Sequence, residues 1–342
     1  DLPDPDVYFR LDPLLDKMRQ ARLLRPTPLT DRKVVVAWNA MMIETLAEAG
    51  HVFGRSDYYD AAAQAASFIF ADMMVGDDLH RISFEGSSSI AGQLTDYAGM
   101  GLAAVALHDF APVTDSQWLD RAARMANQIT SRFSEGTGPY RMTEVIEGLG
   151  AFYPIDDSEV PAGNAMVLSL FTALGDRMEA PEFTQQAFDL AAALSANAAS
   201  APEVRGYTLI GAQALNLGAM GNVRSMASGA VKVFADADRD AGTLGLRIKI
   251  KDGWHVNAHQ PLEDYFIATE LLVNDTPLAA AAYPEPQIKA LSFNEQMLAL
   301  YEGEITLVGE IPADSQGVAT LTIQACSDEI CLQPEELRFT LW

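Results

Sequence analysis

The chain has 342 residues, 49% hydrophobic and 20% charged, an ordinary globular composition with ample apolar content for a sizeable core. Its formal net charge of −24 divides into −13 over residues 1–225 (16 basic, 29 acidic) and −11 over residues 226–342 (7 basic, 18 acidic), so the acidity covers the whole surface. Such a surface repels phosphate backbones and anionic membranes, no nucleic-acid partner is expected, and no apolar run approaches the ~20 residues of a membrane span. No signal peptide is visible, and the start at Asp1-Leu2-Pro3 without an initiator methionine leads us to expect a fragment or a processed product.

Residues 11 to about 224 read as a succession of helices. Asp12 is expected as an N-cap with Pro13 at the first helical position, followed by Leu14, Leu15, Met18 and Arg22 until Arg25-Pro26 stops the run. A second helix carries Trp38, Met41, Met42, Thr45, Ala49 and Val52 and ends at Gly54. Ser56-Asp57 caps a third, with Tyr58, Ala62, Ala65, Phe68 and Ile69 on its buried stripe. Further helical runs cover about 91–109, 115–133, 162–177, 181–199 and 203–219, and the short connections favour antiparallel helical hairpins.

After Gly221-Asn222 the period changes to two. Leu246, Ile248 and Ile250 alternate with Arg247, Lys249 and Lys251, and the pattern continues through Val231/Val233, Ile305/Leu307, Leu321/Ile323 and Leu337/Phe339/Leu341. Turn signals at Asp252-Gly253, Asn274-Asp275, Glu302-Gly303 and Gln316-Gly317 separate the runs. The expected organisation is therefore an all-α part, 1–225, followed by an all-β antiparallel sandwich, 226–342.

Two features of the β part carry chemistry. Cys326 and Cys331 are the only cysteines, five positions apart, and a hairpin turn could bring their Cα atoms within the roughly 4.4–6.8 Å of a disulfide. Closing so short a loop stabilises by only about 2 kcal/mol, which favours a redox-active pair over a plain staple or two separate thiols. Two cysteines without a nearby histidine supply too few ligands for a metal. Acidic Asp328 and Glu329 between them tend to raise thiol pKa values, so the pair receives attack by a partner's thiolate more readily than it initiates one. His255 and His259, four apart, would share a strand face and suit a metal; hydrogen-bonding roles in loop or core are the ordinary alternative. No cofactor or metal is expected.

The segment Lys251-Asp252-Gly253-Trp254-His255-Val256-Asn257-Ala258-His259-Gln260-Pro261, then Tyr283-Pro284, Tyr301-Glu302-Gly303 and the cysteine segment through Pro334, resembles the amino-terminal periplasmic domain of the thiol–disulfide interchange protein DsbD over roughly 228–342. The resemblance implies an immunoglobulin-like sandwich in which Cys326 and Cys331 are reduced and reoxidised by exchange with a partner. It also implies a periplasmic setting, with the cytoplasm as the alternative.

In the helices, Thr30-Asp31-Arg32-Lys33 leading into Ala37-Trp38-Asn39-Ala40-Met41-Met42-Ile43, Gly92-Gln93-Leu94-Thr95-Asp96-Tyr97-Ala98 and Asp156-Asp157-Ser158-Glu159-Val160-Pro161-Ala162-Gly163-Asn164-Ala165 resemble, in order and spacing, the spermatogenesis-associated thioredoxin-domain family over roughly 10–220. Local departures are Asp31-Arg32-Lys33 for an acidic pair before lysine, Ala40 for glycine and Thr95 for glutamate. The resemblance implies part of an (α/α)6 six-hairpin toroid of the type found in sugar epimerases and glycosidases, and a thioredoxin-like partner domain outside this chain. In a toroid the three segments would converge on one funnel, with Trp38 as a stacking floor, Asn39 and Asn164 binding a polar ligand such as a sugar, and Asp96 with Tyr97 supplying acid–base chemistry. Asp156, Asp157 and Glu159 are candidate second carboxylates for glycosidic cleavage. His51, His80 and His108 are expected near helix ends in solvated or capping roles. Three functions follow, in order of preference: thiol–disulfide exchange, a carbohydrate-active hydrolase or epimerase, and a non-catalytic scaffold.

Overall fold

The computed structural model describes residues 5–111, 116–148, 150–178, 180–217, 223–238, 242–263, 265–277, 283–291, 294–310 and 317–341. The first helix, α1 (Pro5–Leu23), starts with a proline at its first turn, where the missing N–H costs nothing. Pro13 therefore lies inside the helix and not at its start, which corrects the expected Asp12 cap. The apolar side chains Leu14, Leu15 and Met18 are exposed.

Next come β1 (Val34–Val35), α2 (Val36–Val52) and α3 (Ser56–Asp72). Gly54 follows α2 in the left-handed conformation at φ 61°, as the turn requires. The core face of α2 is Val36, Ala37, Ala40, Ile43, Ala47 and Gly50, whereas Trp38 and Met42 point outward. Large residues and the small-residue stripe lie on opposite faces here. The small face is buried because it lets the neighbouring helix approach closely.

A small sheet interrupts the helices, which the purely helical reading of residues 11–224 missed. It consists of β2 (Met74–Val75), β3 (Asp78–Phe84) and β4 (Ser87–Ala91), with β3 pairing β1, β2 and β4 antiparallel. Gly76 and Gly86, at φ 63° and 79°, turn the chain between these strands. His80 thus sits in a strand and not near a helix end.

The remaining helices are α4 (Leu94–Asp109), α5 (Ser116–Phe133), α6 (Gly163–Arg177), α7 (Pro181–Ser200) and α8 (Gly206–Leu217). Helices α2, α4, α6 and α8 pack successively side by side, while α3, α5 and α7 lie outside them, so the helical part is an arc of an α/α toroid. Helix α4 is buried nearly all round, including Tyr97, Met100, Ala103, Ala104 and Leu107. Two glycines set its spacing: a Cβ on Gly99 would come 3.0 Å from Ala40 Cβ of α2, and one on Gly101 would come 2.5 Å from Leu170 Cδ2 of α6.

The β part holds three four-stranded antiparallel sheets. Strands β5 (Val223–Met226), β6 (Val231–Asp238), β7 (Thr243–Ile250) and β13 (Glu304–Glu310) form one, in the order β13-β7-β6-β5. The second is β10 (Thr276–Pro277), β9 (Glu270–Val273), β14 (Gly317–Ile323) and β16 (Glu335–Leu341). The third runs β11 (Gln287–Leu291), β12 (Asn294–Tyr301), β8 (Trp254–Asn257) and β15 (Ala325–Ser327). The period-two expectation holds along β7, where Leu244, Leu246, Ile248 and Ile250 are buried with Leu271, Leu321, Phe339 and Val256 in one core. Of the expected turns, Gly253, Asn274, Asp275 and Gly303 adopt positive φ; Gln316 lies outside the described residues.

The carboxyl ends of the inner helices rest on this sandwich. Arg177, at the end of α6, makes a buried two-pronged pair with Asp109 at the end of α4, Nε to Oδ1 at 3.0 Å and Nη2 to Oδ2 at 2.7 Å. From β6, Lys232 Nζ donates to the His108 carbonyl at 3.0 Å and lies 3.9 Å from Asp109 Oδ1. A lysine at terminal carbonyls satisfies groups the helix leaves open and meets the negative end of its dipole. Beside it, the His51 ring packs between Phe110 and Phe234. Gly229, at φ 84°, approaches so closely that a Cβ there would fall 2.1 Å from the Arg177 carbonyl oxygen.

Asp109 thus balances buried Arg177 and part-buried Lys232. Replacing it in Asp109→Asn strands them, and the expected loss is about 3–5 kcal/mol of unfolding free energy by urea titration. Burial outweighs the pull of Asp109 on Lys232 and lowers its pKa to about 8. Because the folded pKa lies below the unfolded one, the unfolded chain holds the extra proton between them. The cost of the charged lysine is present below pH 8 and is relieved as pH rises toward its ordinary value. Stability of the wild type relative to Lys232→Met is expected to rise across that window; a flat difference would contradict this sign.

Candidate redox site and the ends of the inner helices

Local hydrogen bonding explains why the cysteine segment turns back on itself. Ser327 N donates to Ile330 O at 2.8 Å and Leu332 N to Ala325 O at 2.9 Å, while Ser327 Oγ accepts from the Glu329 and Ile330 amides, both at 3.2 Å. The hairpin brings the cysteines together as a disulfide with Cα atoms 4.0 Å apart. The two sulfurs are not equivalent: Cys326 is 1% exposed, whereas Cys331 is only half-buried, beside exposed Asp328, Glu329 and Ile330.

Strand β15 pairs with β8 so that Ala325 opposes Val256, Cys326 opposes His255 and Ser327 opposes Trp254. Opposed residues of an antiparallel pair project to one face. Val256 and Ala325 belong to the sandwich core, so His255 and Cys326 share the other face. His255 is buried, and its Nδ1 lies 3.9 Å from Glu302 Oε1, which in turn accepts from Lys289 Nζ at 2.8 Å. Burial is the main cause that pushes the His255 pKa down, against the opposing effect of Glu302 and Asp328.

Gln324 ties the hairpin to the chain that follows β8. Its Oε1 accepts from Asn257 Nδ2 at 3.0 Å and Ile267 N at 3.1 Å, and its Nε2 donates to Leu332 O at 3.2 Å. His259 stacks on Tyr283 with ring centroids 3.8 Å apart, and its Nδ1 lies 3.2 Å from Thr269 O. The two histidines are thus separately engaged, and among the described residues no His, Cys, Asp and Glu group has metal-site geometry. Gln324 was not singled out in the sequence; its neighbours Cys326 and Asn257 are the signal that could have drawn attention to it.

At the other end of the chain, the sequence motifs do meet. Asp96 Oδ1 accepts from Ala37 N at 3.0 Å, linking the starts of α2 and α4. Its Oδ2 accepts from Gln93 N at 2.8 Å, half of a capping box, and from Arg81 Nη1 of β3 at 2.7 Å. A Cβ on Gly163 would lie 3.1 Å from Leu94 Cδ2, which places the start of α6 against α4. Asn164 is wholly buried: Oδ1 accepts from Tyr140 N at 2.7 Å, and Nδ2 donates to the carbonyls of Tyr140 and Pro154 at 2.9 and 3.0 Å. It staples the long 134–162 segment to α6.

The chemistry open to these residues follows from that placement. Asp96 is fully buried with both oxygens occupied, and burial, its largest influence, raises its pKa despite Arg81 and the amides. Tyr97 is buried, its hydroxyl accepting from Leu79 N at 2.9 Å. Asn39 donates to Val35 O at 2.9 Å, at the residue just before its helix, and Trp38 is 65% exposed and so not part of the core. Asp157 caps the entry to α6 through Ala162 N at 2.8 Å, and Asp156 pairs with Arg205 at 2.8 Å; Glu159 is exposed. Arg81 went unnoticed in the sequence because the strand that carries it was read as helix-linking chain.

Residues 225–341 match the family model of the thiol:disulfide interchange protein DsbD, N-terminal. Spermatogenesis-associated protein 20 from Homo sapiens is 28% identical over 186 residues, 48% of this chain and 23% of that protein. The chain therefore spans about a quarter of the length of the curated relatives it matches. Among solved structures, the DsbD N-terminal domain of Neisseria meningitidis in the reduced form is similar at 16% identity and a TM-score of 0.26, covering 33% of this chain and 84% of that one. A GH76 alpha-mannanase of Bacteroides thetaiotaomicron is similar at 13% identity and a TM-score of 0.41, covering 50% and 47%.

Asp96→Asn replaces an acceptor by a donor facing two N–H groups. The expected outcome is a loss of about 2–3 kcal/mol in stability with no change in the reduction potential of the cysteine pair, read by urea unfolding and by equilibration in thiol buffers. A shifted potential would link the two ends of the molecule directly.

Proposed function

We propose that the chain acts in thiol–disulfide exchange, its Cys326–Cys331 disulfide being opened by a thioredoxin-like dithiol partner. The observation that carries this reading is a closed disulfide with unequal sulfurs, on an exposed hairpin, inside the segment that matches the DsbD N-terminal model. Exchange needs a thiolate in line with the S–S bond, and access decides which sulfur is struck. Cys331 offers that access, while Cys326 is enclosed. The partner's thiolate attacks Cys331 Sγ, the S–S bond breaks, and the electron pair leaves on Cys326 Sγ. A second partner thiolate then resolves the mixed disulfide, leaving the partner oxidised and this pair reduced. Exposed Ile330 offers an apolar contact next to the struck sulfur. In the helical part, Asp96 and Asn164 tie helix starts to neighbouring backbone and Tyr97 accepts from Leu79 N of β3.

Trapping tests the polarity. When the disulfide form is mixed with the reduced form of a thioredoxin-like protein lacking its resolving cysteine, the trapped mixed disulfide, located by peptide mapping, is expected at Cys331 over Cys326 by more than about tenfold, a barrier difference of about 1.4 kcal/mol. Equal amounts at the two positions would remove the assigned polarity. A wild-type disulfide that stays closed in excess reduced partner would remove the exchange reading itself.

A further inference from the structure

His255 stands directly opposite Cys326 across the β8–β15 pair, on the face that holds the disulfide. Both are almost wholly enclosed, His255 at 2% and Cys326 at 1% exposure. Among the described residues its Nε2 is buried without a hydrogen-bond partner. A buried polar atom without a partner is costly, so its retention beside a reactive bond calls for a state in which the atom is used.

Opening the disulfide creates that state. Attack at Cys331 leaves a thiolate on Cys326 inside the protein, where an isolated anion is strongly disfavoured. We propose that His255 is a positioning residue of the exchange reaction, its imidazole taking up a proton from solvent and standing as the counter-ion of the departing Cys326 thiolate. This rests on the exchange reading above. Charge balances within the step: one proton enters as one negative charge appears on sulfur, and the thiolate either remains paired or takes that proton to become a thiol beside neutral imidazole. On reoxidation the proton is returned to solvent.

The surrounding charges fit such a responsive group. Glu302, after β12, and Asp328, in the hairpin, favour a cationic ring; Lys289 of β11, held by Glu302, opposes it. With the disulfide closed there is no anion on sulfur, and burial disfavours the charged ring. With it open, the new negative charge joins Glu302 and Asp328 and tips the balance.

The full-length Cys331→Ser chain isolates the question, because Cys326 is then its sole thiol. Thiolate ultraviolet absorbance followed against pH is expected to show Cys326 ionising below the ordinary ~8.5, and His255→Gln in that background is expected to raise the midpoint by about one unit or more. Identical midpoints with and without His255 overturn the proposal. Imidazole proton resonances of the wild type give a second measurement free of any change at this position: the His255 midpoint is expected to rise on reduction, and an unchanged midpoint is equally fatal. Neither titration contains a partner protein. Failure of the ion pair and failure of exchange with a partner are therefore read from separate experiments.

Discussion

The Asp109–Arg177 pair, with Lys232 reaching it from the β part, is the constraint on which the arrangement of the two halves depends. Two inner helices end there, and helix ends carry unsatisfied carbonyls that must find donors when water is excluded. Lys232 supplies them for α4, and Arg177 spends a further donor on Ala173 O at 2.9 Å. A buried ion pair adds little stability over apolar packing, but breaking it is severe. Such a junction therefore acts less as glue than as a lock on geometry. Gly229 completes it, since any side chain at that position would collide with the backbone of Arg177.

How much of this was legible in the sequence depended on whether a local signal agreed with its tertiary setting. Strand β7 was legible because the wet and dry faces of Thr243–Ile250 alternate strictly. Helices α4 to α8 were legible because each run is long and bounded by turn residues. The β3–β4 hairpin was not, since Asp78–Phe84 carries arginine and histidine on both faces and β4 is four polar or small residues of five, leaving no period to see. On α2 the large side chains marked the wrong face, because tight helix packing favours Ala40, Ala47 and Gly50 over Trp38 and Met42. The pairing of the cysteines was legible from spacing; that His255 faces one of them was not, because strand register depends on contacts 71 positions apart in the chain, from His255 to Cys326.

The residues that look most like a polar active site also answer a structural need. Three helix starts meet around Asp96 and Asn164, and each start exposes amides that require acceptors. Asp96 serves α2 and its own helix at once, and Asn164 satisfies both backbone groups of Tyr140. Short spacing of polar residues at helix starts is thus ambiguous by nature: the same groups that would bind a sugar also cap a helix. Here both side chains are enclosed and bonded to the backbone of those helix starts.

The charge distribution around the cysteines bears on the direction of electron flow. Asp328 and Glu329 lie between the cysteines in the exposed hairpin, while His255 opposes Cys326 across the β8–β15 pair. In the proposed exchange, attack at the accessible Cys331 sends the electron pair to Cys326, so the departing charge appears opposite His255. The reverse order would bring the incoming thiolate against an enclosed residue. Burial thus favours Cys331 as the target of the proposed attack, and a segment too acidic to make a strong nucleophile can still be struck by one.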